Sequence, residues 1–318
     1  MKIEGLIAAT FAAFKKDGSV NLEAIPAIVN KLVDDKLTGV FVCGTNGEGP
    51  NLTIEERMAI AEAYVKAANK RLLVFIHVGH TSIAESRKLA QHAALIGADA
   101  ISSVAAFYFK PGSARNLVDS MAQIAAAAPT LPFYYYHMPV LTSVAVDMID
   151  FLQLAEEAIP NLAGIKYTAS TLHEYQACLN YKGGKYDILF GYDELLLSAL
   201  AVGAKGAIGS TYTFAAPLYR KVMEYYSNNN HEEARAMQLH SVEMVRCLVK
   251  FAPIPAQRAI MKMLGYDLGA CRLPLQSLGD ADAEKLKGML DATGFFKVLE
   301  QCKAGTAGVT AANHAVHL

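Results

Sequence analysis

The chain has 318 residues, 53% of them hydrophobic, with 29 Lys and Arg set against 30 Asp and Glu. That is apolar material for one large core, and the formal net charge of −1 gives no general pull toward nucleic acid or an anionic membrane. No apolar run approaches the roughly 18 residues of a membrane span, and the opening residues have neither the apolar length nor the cleavage site of a signal peptide, so a soluble cytoplasmic protein is expected.

Short β-rich runs alternate with longer helical patterns from residue 5 to about residue 227. GLIAATF (5–11) precedes a helical stretch at 22–35, and TGVFVCG (38–44) precedes one at 53–68, where Thr53-Ile54-Glu55-Glu56 reads as a capping box. LLVFIHVG (72–79) is followed by a helical stretch at 82–95. DAISSV (99–104), PFYYYH (132–137), LAGIKY (162–167), DILFGY (187–192) and KGAIG (205–209) complete eight strand candidates, with further helical stretches at 144–158 and 195–202. Eight such units fit a closed (β/α)8 TIM barrel better than an open sheet. The barrel is expected over 1–230, helices at 231–264 and 280–303 as a C-terminal extension (231–303) packed on it or on a neighbouring subunit, and the unpatterned residues 304–318 as a flexible tail.

A barrel of this kind carries its chemistry at the C-terminal ends of the strands and in the loops after them. After the second strand, Gly44-Thr45-Asn46-Gly47-Glu48-Gly49 can form a tight turn that aims backbone N–H groups and two polar side chains at a carboxylate or phosphate. It is neither a dinucleotide fingerprint nor a P-loop, and Gly183-Gly184-Lys185 completes no P-loop either; an ordinary glycine turn is the default for the segment taken alone.

The sixth strand carries Lys166 near its end. Period-two alternation puts Leu162, Gly164 and Lys166 on one face and Ala163 and Ile165 on the other. With the second set on the helices, Lys166 points into the barrel, where desolvation lowers its pKa and favours the nucleophilic amine needed for a Schiff base. A lysine snorkelling to solvent or paired with a carboxylate is the competing reading. Tyr134 and Tyr136 share a face of the fifth strand, so a phenol can reach the barrel mouth beside Lys166 as a proton relay or as plain packing. Gly191-Tyr192-Asp193-Glu194 ends the seventh strand with two acids that suit a helix cap or the hydroxyls of a polyol, and Gly209-Ser210-Thr211-Tyr212 follows the eighth.

Other chemistries find little support. His77 and His80 fall on opposite faces of an extended strand, which argues against a shared metal. The five cysteines (43, 178, 247, 271 and 302) are scattered, without a CxxC pair or a nucleophile signature, as free thiols in a reducing compartment would be.

Taken in register, the 44–48 turn, Tyr136-His137-Met138-Pro139, Lys166, Gly191-Tyr192-Asp193-Glu194 and Gly209-Ser210-Thr211-Tyr212 resemble the N-acetylneuraminate lyases. These belong to the pyruvate-dependent class I aldolase superfamily that includes dihydrodipicolinate synthase. The resemblance runs from about Gly5 through Arg272-Leu273-Pro274-Leu275. It implies that Lys166 forms a Schiff base with the C2 ketone of open-chain sialic acid, with no metal or other cofactor, and that Tyr136 moves the C4 hydroxyl proton. It implies that Thr45 and Asn46 hold the pyruvate carboxylate, while Thr168, Gly191, Asp193, Glu194 and Ser210 contact the sugar chain. Tyr108, in Ala106-Phe107-Tyr108-Phe109, matches a tyrosine lent toward the site of an adjoining subunit, which implies a homo-oligomer, a tetramer by family resemblance. The implied partners are sialic acid, pyruvate and N-acetylmannosamine.

Three positions depart from the superfamily pattern: Asn46 stands where Thr is usual, Ala12-Ala13-Phe14 where Thr-Pro-Phe is common, and His137 where Asn is commoner, although the lyase branch also shows His. Dihydrodipicolinate synthase places an Arg two residues after the Pro of its tyrosine motif, and here that position is Leu141, which cannot clamp a second carboxylate. The lyase reading therefore leads. Its alternatives are an aldolase for another 2-keto-3-deoxy sugar acid and a non-catalytic binder of pyruvate or sialic acid.

Overall fold

The computed structural model describes residues 2–305, so most of the tail expected at 304–318 lies outside the described residues. Eight parallel strands close in sequence order into a barrel: β1 (Gly5–Ala9), β2 (Gly39–Val42), β3 (Leu73–His77), β4 (Ala100–Val104), β5 (Phe133–His137), β6 (Leu162–Tyr167), β7 (Asp187–Phe190) and β8 (Gly206–Gly209). The expected TIM barrel is thus the observed fold. Seven of its strands are one to three residues shorter than the apolar runs, which continue into the loops, and β6 matches its run, Leu162–Tyr167.

Helices α1 (Ile25–Asp34), α2 (Ile54–Ala68), α3 (Ile83–Leu95), α4 (Ala114–Ala125), the single turn α5 (Pro139–Thr142), α6 (Met148–Ala158), α7 (Leu172–Asn180), α8 (Leu196–Ala201) and α9 (Tyr212–Ser227) form the outer ring. Side-chain oxygens open several of them. Thr53 and Glu56 make the expected reciprocal capping box, and Ser82, Ser113 and Asp147 cap α3, α4 and α6. The stretch expected as helix from residue 144 begins only at Met148, because the Asp147 carboxylate takes the N–H groups of Ile149 and Asp150 and sets the start there.

Beyond the barrel come α10 (His231–Leu248), α11 (Pro253–Met263), α12 (Asp280–Ala292) and α13 (Phe295–Lys303), with α10 and α13 packed along α9. Both long helices expected here are split. Pro253 has no N–H to continue a helix and disfavours a helical residue before it, so Ala252 is extended and Pro253 opens α11. Gly294, at φ +72°, breaks the 280–303 stretch in a left-handed conformation that glycine takes at little cost.

Two apolar layers result. Outward residues such as Val40, Val42, Ile165 and Tyr167 pack on the helices. Inward residues Ile7, Phe41, Phe75, Tyr134, Tyr136, Leu189 and Ile208, with the small Ala9 and Ala100 between them, fill the barrel. Ala163 departs from the expected alternation and packs on the inner layer. The β5–β6 register steps from Phe133↔Leu162 to Tyr134↔Gly164, leaving Ala163 as the extra residue of a bulge. Gly164 is required beside it, since a Cβ there would lie 1.7 Å from the Asp187 carbonyl oxygen. At the N-terminal mouth, Asp187 accepts hydrogen bonds from the Tyr134 hydroxyl (3.0 Å) and the Ile3 N–H (3.3 Å), which plugs the barrel from below.

Thr53→Ala removes the acceptor for the Glu56 N–H (3.2 Å) at the start of α2. It is expected to cost about 1 kcal/mol, read as a lower urea midpoint with unchanged slope at fixed protein concentration, and Thr53→Ser is expected to restore it.

Candidate active site

The open end of the barrel holds a cavity of about 400 Å³. Thr45 and Asn46 reach it from the loop after β2, Tyr136 from β5 and Met138 just beyond it, Lys166 from β6 and Thr168 just beyond it, Gly191, Asp193 and Glu194 from the segment after β7, and Ser210 from the loop after β8. The residues singled out along 165 positions of sequence therefore meet in one place, with one exception. Tyr108 stands outside the cavity in the loop after β4, 76% exposed and edge-on to Phe109 at 5.0 Å between ring centroids.

Strand alternation aims Lys166 inward. Its Nζ lies 3.9 Å from the ring centre of Tyr136 and 4.1 Å from that of Phe41, and the residue is buried, 4% exposed. Burial brings its pKa down to about 7, against the opposing pull of the Asp193 carboxylate. A substantial fraction of this amine is therefore neutral at physiological pH.

Tyr136 sits directly across the strand pair from Lys166. Burial pushes its phenol up to about 12, while the Thr45 and Thr168 hydroxyls pull the other way. Its O–H donates to the Met138 sulfur at 2.8 Å, and the Thr45 hydroxyl lies 3.8 Å from the same sulfur. A thioether is a weak acceptor, easily exchanged for a better one.

The 44–49 turn is held by close backbone packing: a Cβ on Gly49 would come within 2.2 Å of the Cys43 carbonyl oxygen. Glu48 and Gly49 donate back to Thr45 and Gly44, whereas the N–H groups of Thr45 and Asn46 find no acceptor among the described residues. Uncommitted backbone donors at the edge of a cavity can receive an anion.

Across the mouth, the Asp193 Oδ2 atom accepts the Thr211 N–H (2.8 Å) and the Thr211 hydroxyl (2.6 Å), while Oδ1 is buried with no hydrogen bond. Burial lifts this carboxyl to about 6 despite the two Thr211 bonds, and burial also raises that of Glu194. Gly209 is what makes room: a Cβ there would lie 1.7 Å from Asp193 Oδ1. From α10, the Gln238 side chain accepts the Leu197 N–H (2.8 Å) and donates to the Ser241 hydroxyl (2.5 Å) and the Asp193 carbonyl (3.4 Å).

Several contributors escaped sequence reasoning. Phe41 and Met138 share the inward faces of Lys166 and Tyr136, and strand alternation would have found both. Thr211 stood in a quoted motif without a role. Gln238, and the rim residues Val245, Leu248, Val249, Ile254, Pro255, Gln257 and Leu275, come from segments distant along the chain and carried no local signal.

The model of the dihydrodipicolinate synthetase family matches residues 2–293. The chain is 41% identical to the N-acetylneuraminate lyase of Xenopus tropicalis over 286 residues, 88% of this chain and 93% of that protein. It is 38% identical to that of Sus scrofa over 294 residues, 91% of this chain and 92% of that protein. The solved N-acetylneuraminate lyase of Proteus mirabilis superposes with a TM-score of 0.90 at 39% identity, covering 93% of this chain and all of that one (100%). With a match across nearly the whole barrel and its C-terminal helices, the chain belongs to the dihydrodipicolinate synthetase family.

Proposed function

We propose that this protein is a carbon–carbon lyase of the class I aldolase type that reversibly cleaves N-acetylneuraminate to N-acetyl-D-mannosamine and pyruvate through a Schiff base on Lys166. The observation that carries the reading is a dehydrated amine with a pKa near 7, pressed against a buried phenol on the neighbouring strand. Neutral Lys166 attacks the C2 ketone, water leaves, and the resulting iminium accepts the electrons of the C3–C4 bond as an enamine. The Tyr136 phenol is protonated at neutral pH, so it works as a relay. It takes the C4 hydroxyl proton as it passes its own to the substrate carboxylate beside Thr45; that proton returns to C3 of the enamine, and water then hydrolyses the imine to free pyruvate and the Lys166 amine.

The free N–H groups of Thr45 and Asn46 suit the pyruvate carboxylate. Asp193 Oδ1, Glu194, Ser210, Thr168 and the backbone at Gly191 suit the hydroxyls of the sugar chain. Among the described residues lining the cavity, Lys166 is the one cation, and Leu141 is 56% exposed at its rim. Nothing there clamps a second carboxylate, which disfavours an amino-acid-derived co-substrate. The names of the relatives point the same way. The reading extends to a cytoplasmic homotetramer in which Tyr108 leans on a neighbouring site. Support comes from the exposed Tyr108–Phe109 pair and from five unpaired cysteines, as a reducing compartment allows.

Pyruvate with borohydride is expected to leave one reduced pyruvyl group on Lys166, located by peptide mass spectrometry. Lys166→Ala is expected to abolish both this adduct and pyruvate release from N-acetylneuraminate in a coupled assay. An adduct elsewhere, or activity surviving in the variant, would overturn the mechanism; faster release from 2-keto-3-deoxygluconate would reassign the sugar. Tyr136→Phe is expected to lower kcat for cleavage by roughly 10²–10⁴-fold while the borohydride adduct still forms. The rate of adduct formation is expected to climb with pH through about 7 as Lys166 sheds its proton. Asp193→Asn removes the charge that holds that proton on, so its limb is expected at lower pH.

A further inference from the structure

His77 takes no part in the chemistry above, yet it is buried at the end of β3 against the reactive pair. Its ring stands edge-on to Tyr136 (5.9 Å, 90°) and tilted on Phe41 (5.9 Å, 43°). Nε2 lies 3.3 Å from the Val104 backbone nitrogen, which can only donate, and Nδ1 lies 3.2 Å from the Cys43 carbonyl oxygen, which can only accept. Arg57 Nη2 also lies 3.5 Å from Nδ1, but it donates to the His77 carbonyl at 2.6 Å, so the two shorter ring contacts assign the tautomer with the proton on Nδ1.

Cys43 is the residue that launches the 44–49 turn, and it holds a left-handed backbone at φ +58°, unusual for a residue other than glycine. Such a conformation is strained for a residue with a Cβ and persists only where its surroundings over-determine it. Here the surroundings are His77, which binds the Cys43 carbonyl, and α2, where the Arg57 carbonyl receives the Cys43 thiol at 3.7 Å. The buried Arg57 guanidinium in turn donates to the carbonyls of His77 (2.6 Å) and Gly79 (2.9 Å). One side chain therefore touches both the residue that shapes the carboxylate turn and the ring of the phenol.

We propose that His77 is a positioning residue with two separable contacts: its Nδ1–H locks the 44–47 turn in its carboxylate-holding shape, and its ring fixes the orientation of Tyr136. Burial, followed by the charges of Arg57 and Lys166, holds the imidazole neutral, so it supports the reaction without exchanging a proton. The proposal rests on the reading of the site as a pyruvate aldolase.

Two substitutions divide the contacts. His77→Phe keeps a ring against Tyr136 and loses the donor; His77→Asn keeps a donor for the Cys43 carbonyl and loses the ring. In borohydride trapping, His77→Phe is expected to raise the half-saturating pyruvate concentration roughly ten-fold and to leave the maximal rate of N-acetylneuraminate cleavage within about two-fold of the parent. His77→Asn is expected to do the reverse, holding pyruvate half-saturation within about two-fold and slowing maximal cleavage roughly ten-fold. Either variant that alters both quantities together, or neither, overturns the proposal, and if one of them fails to fold the other still decides its half. Failure of the unsubstituted protein to form any Lys166 adduct would instead sink the reading of the site.

Discussion

A charged amine taken out of water loses several kcal/mol of hydration unless a partner replaces it. Lys166 is placed where that loss is not made good. Two aromatic faces surround its Nζ, and the carboxylate whose charge it feels, Asp193, is engaged by the Thr211 N–H and hydroxyl. The lysine answers by holding its proton weakly. A carboxylate brought into direct contact would undo this by restoring a stable ion pair, so the distance kept by Asp193 matters as much as its charge. The Phe41 ring over the amine and the missing side chain at Gly209, which leaves room for the Asp193 carboxylate, keep one amine buried and one acid in its own pocket.

The C-terminal helices take part in this arrangement. Gln238 ties α10 to the Asp193 region: its amide oxygen accepts the Leu197 N–H of α8, and its amide nitrogen, which also donates to Ser241 within α10, reaches the Asp193 carbonyl. Residues of α10 and α11 then complete an apolar rim over a polar floor. Such a rim keeps water from the amine while the hydroxyl-binding groups stay below it.

Legibility in the sequence followed the range of the interactions. The inward aim of Lys166 and Tyr136 depends only on alternation along a strand, and the Thr53–Glu56 box spans four residues, so both could be read locally. The bulge at Ala163 depends on the Asp187 carbonyl pressing on Gly164 from the next strand, and no pattern within β6 announces it. Pro253 and Gly294 were visible as residues, but apolar periodicity runs through both and concealed the breaks they impose. The grip of His77 on Cys43 joins the ends of two strands through a backbone carbonyl, which leaves no mark on side-chain patterning.

The inner apolar layer and the contacts of Asp187 with Tyr134 and Ile3 fill the barrel beneath the cavity, whose lining lies at the C-terminal ends of the strands. Traffic through a dead end is sequential. In the proposed reaction the fragment on Lys166 is still covalently attached when the carbon–carbon bond breaks. Under the proposed reaction the sugar must leave first and the keto acid last, and synthesis must load them in the opposite order. Excess keto acid would then compete with the intact substrate for the same form of the enzyme, whereas excess sugar would meet a site already carrying the enamine and drive the reaction backward.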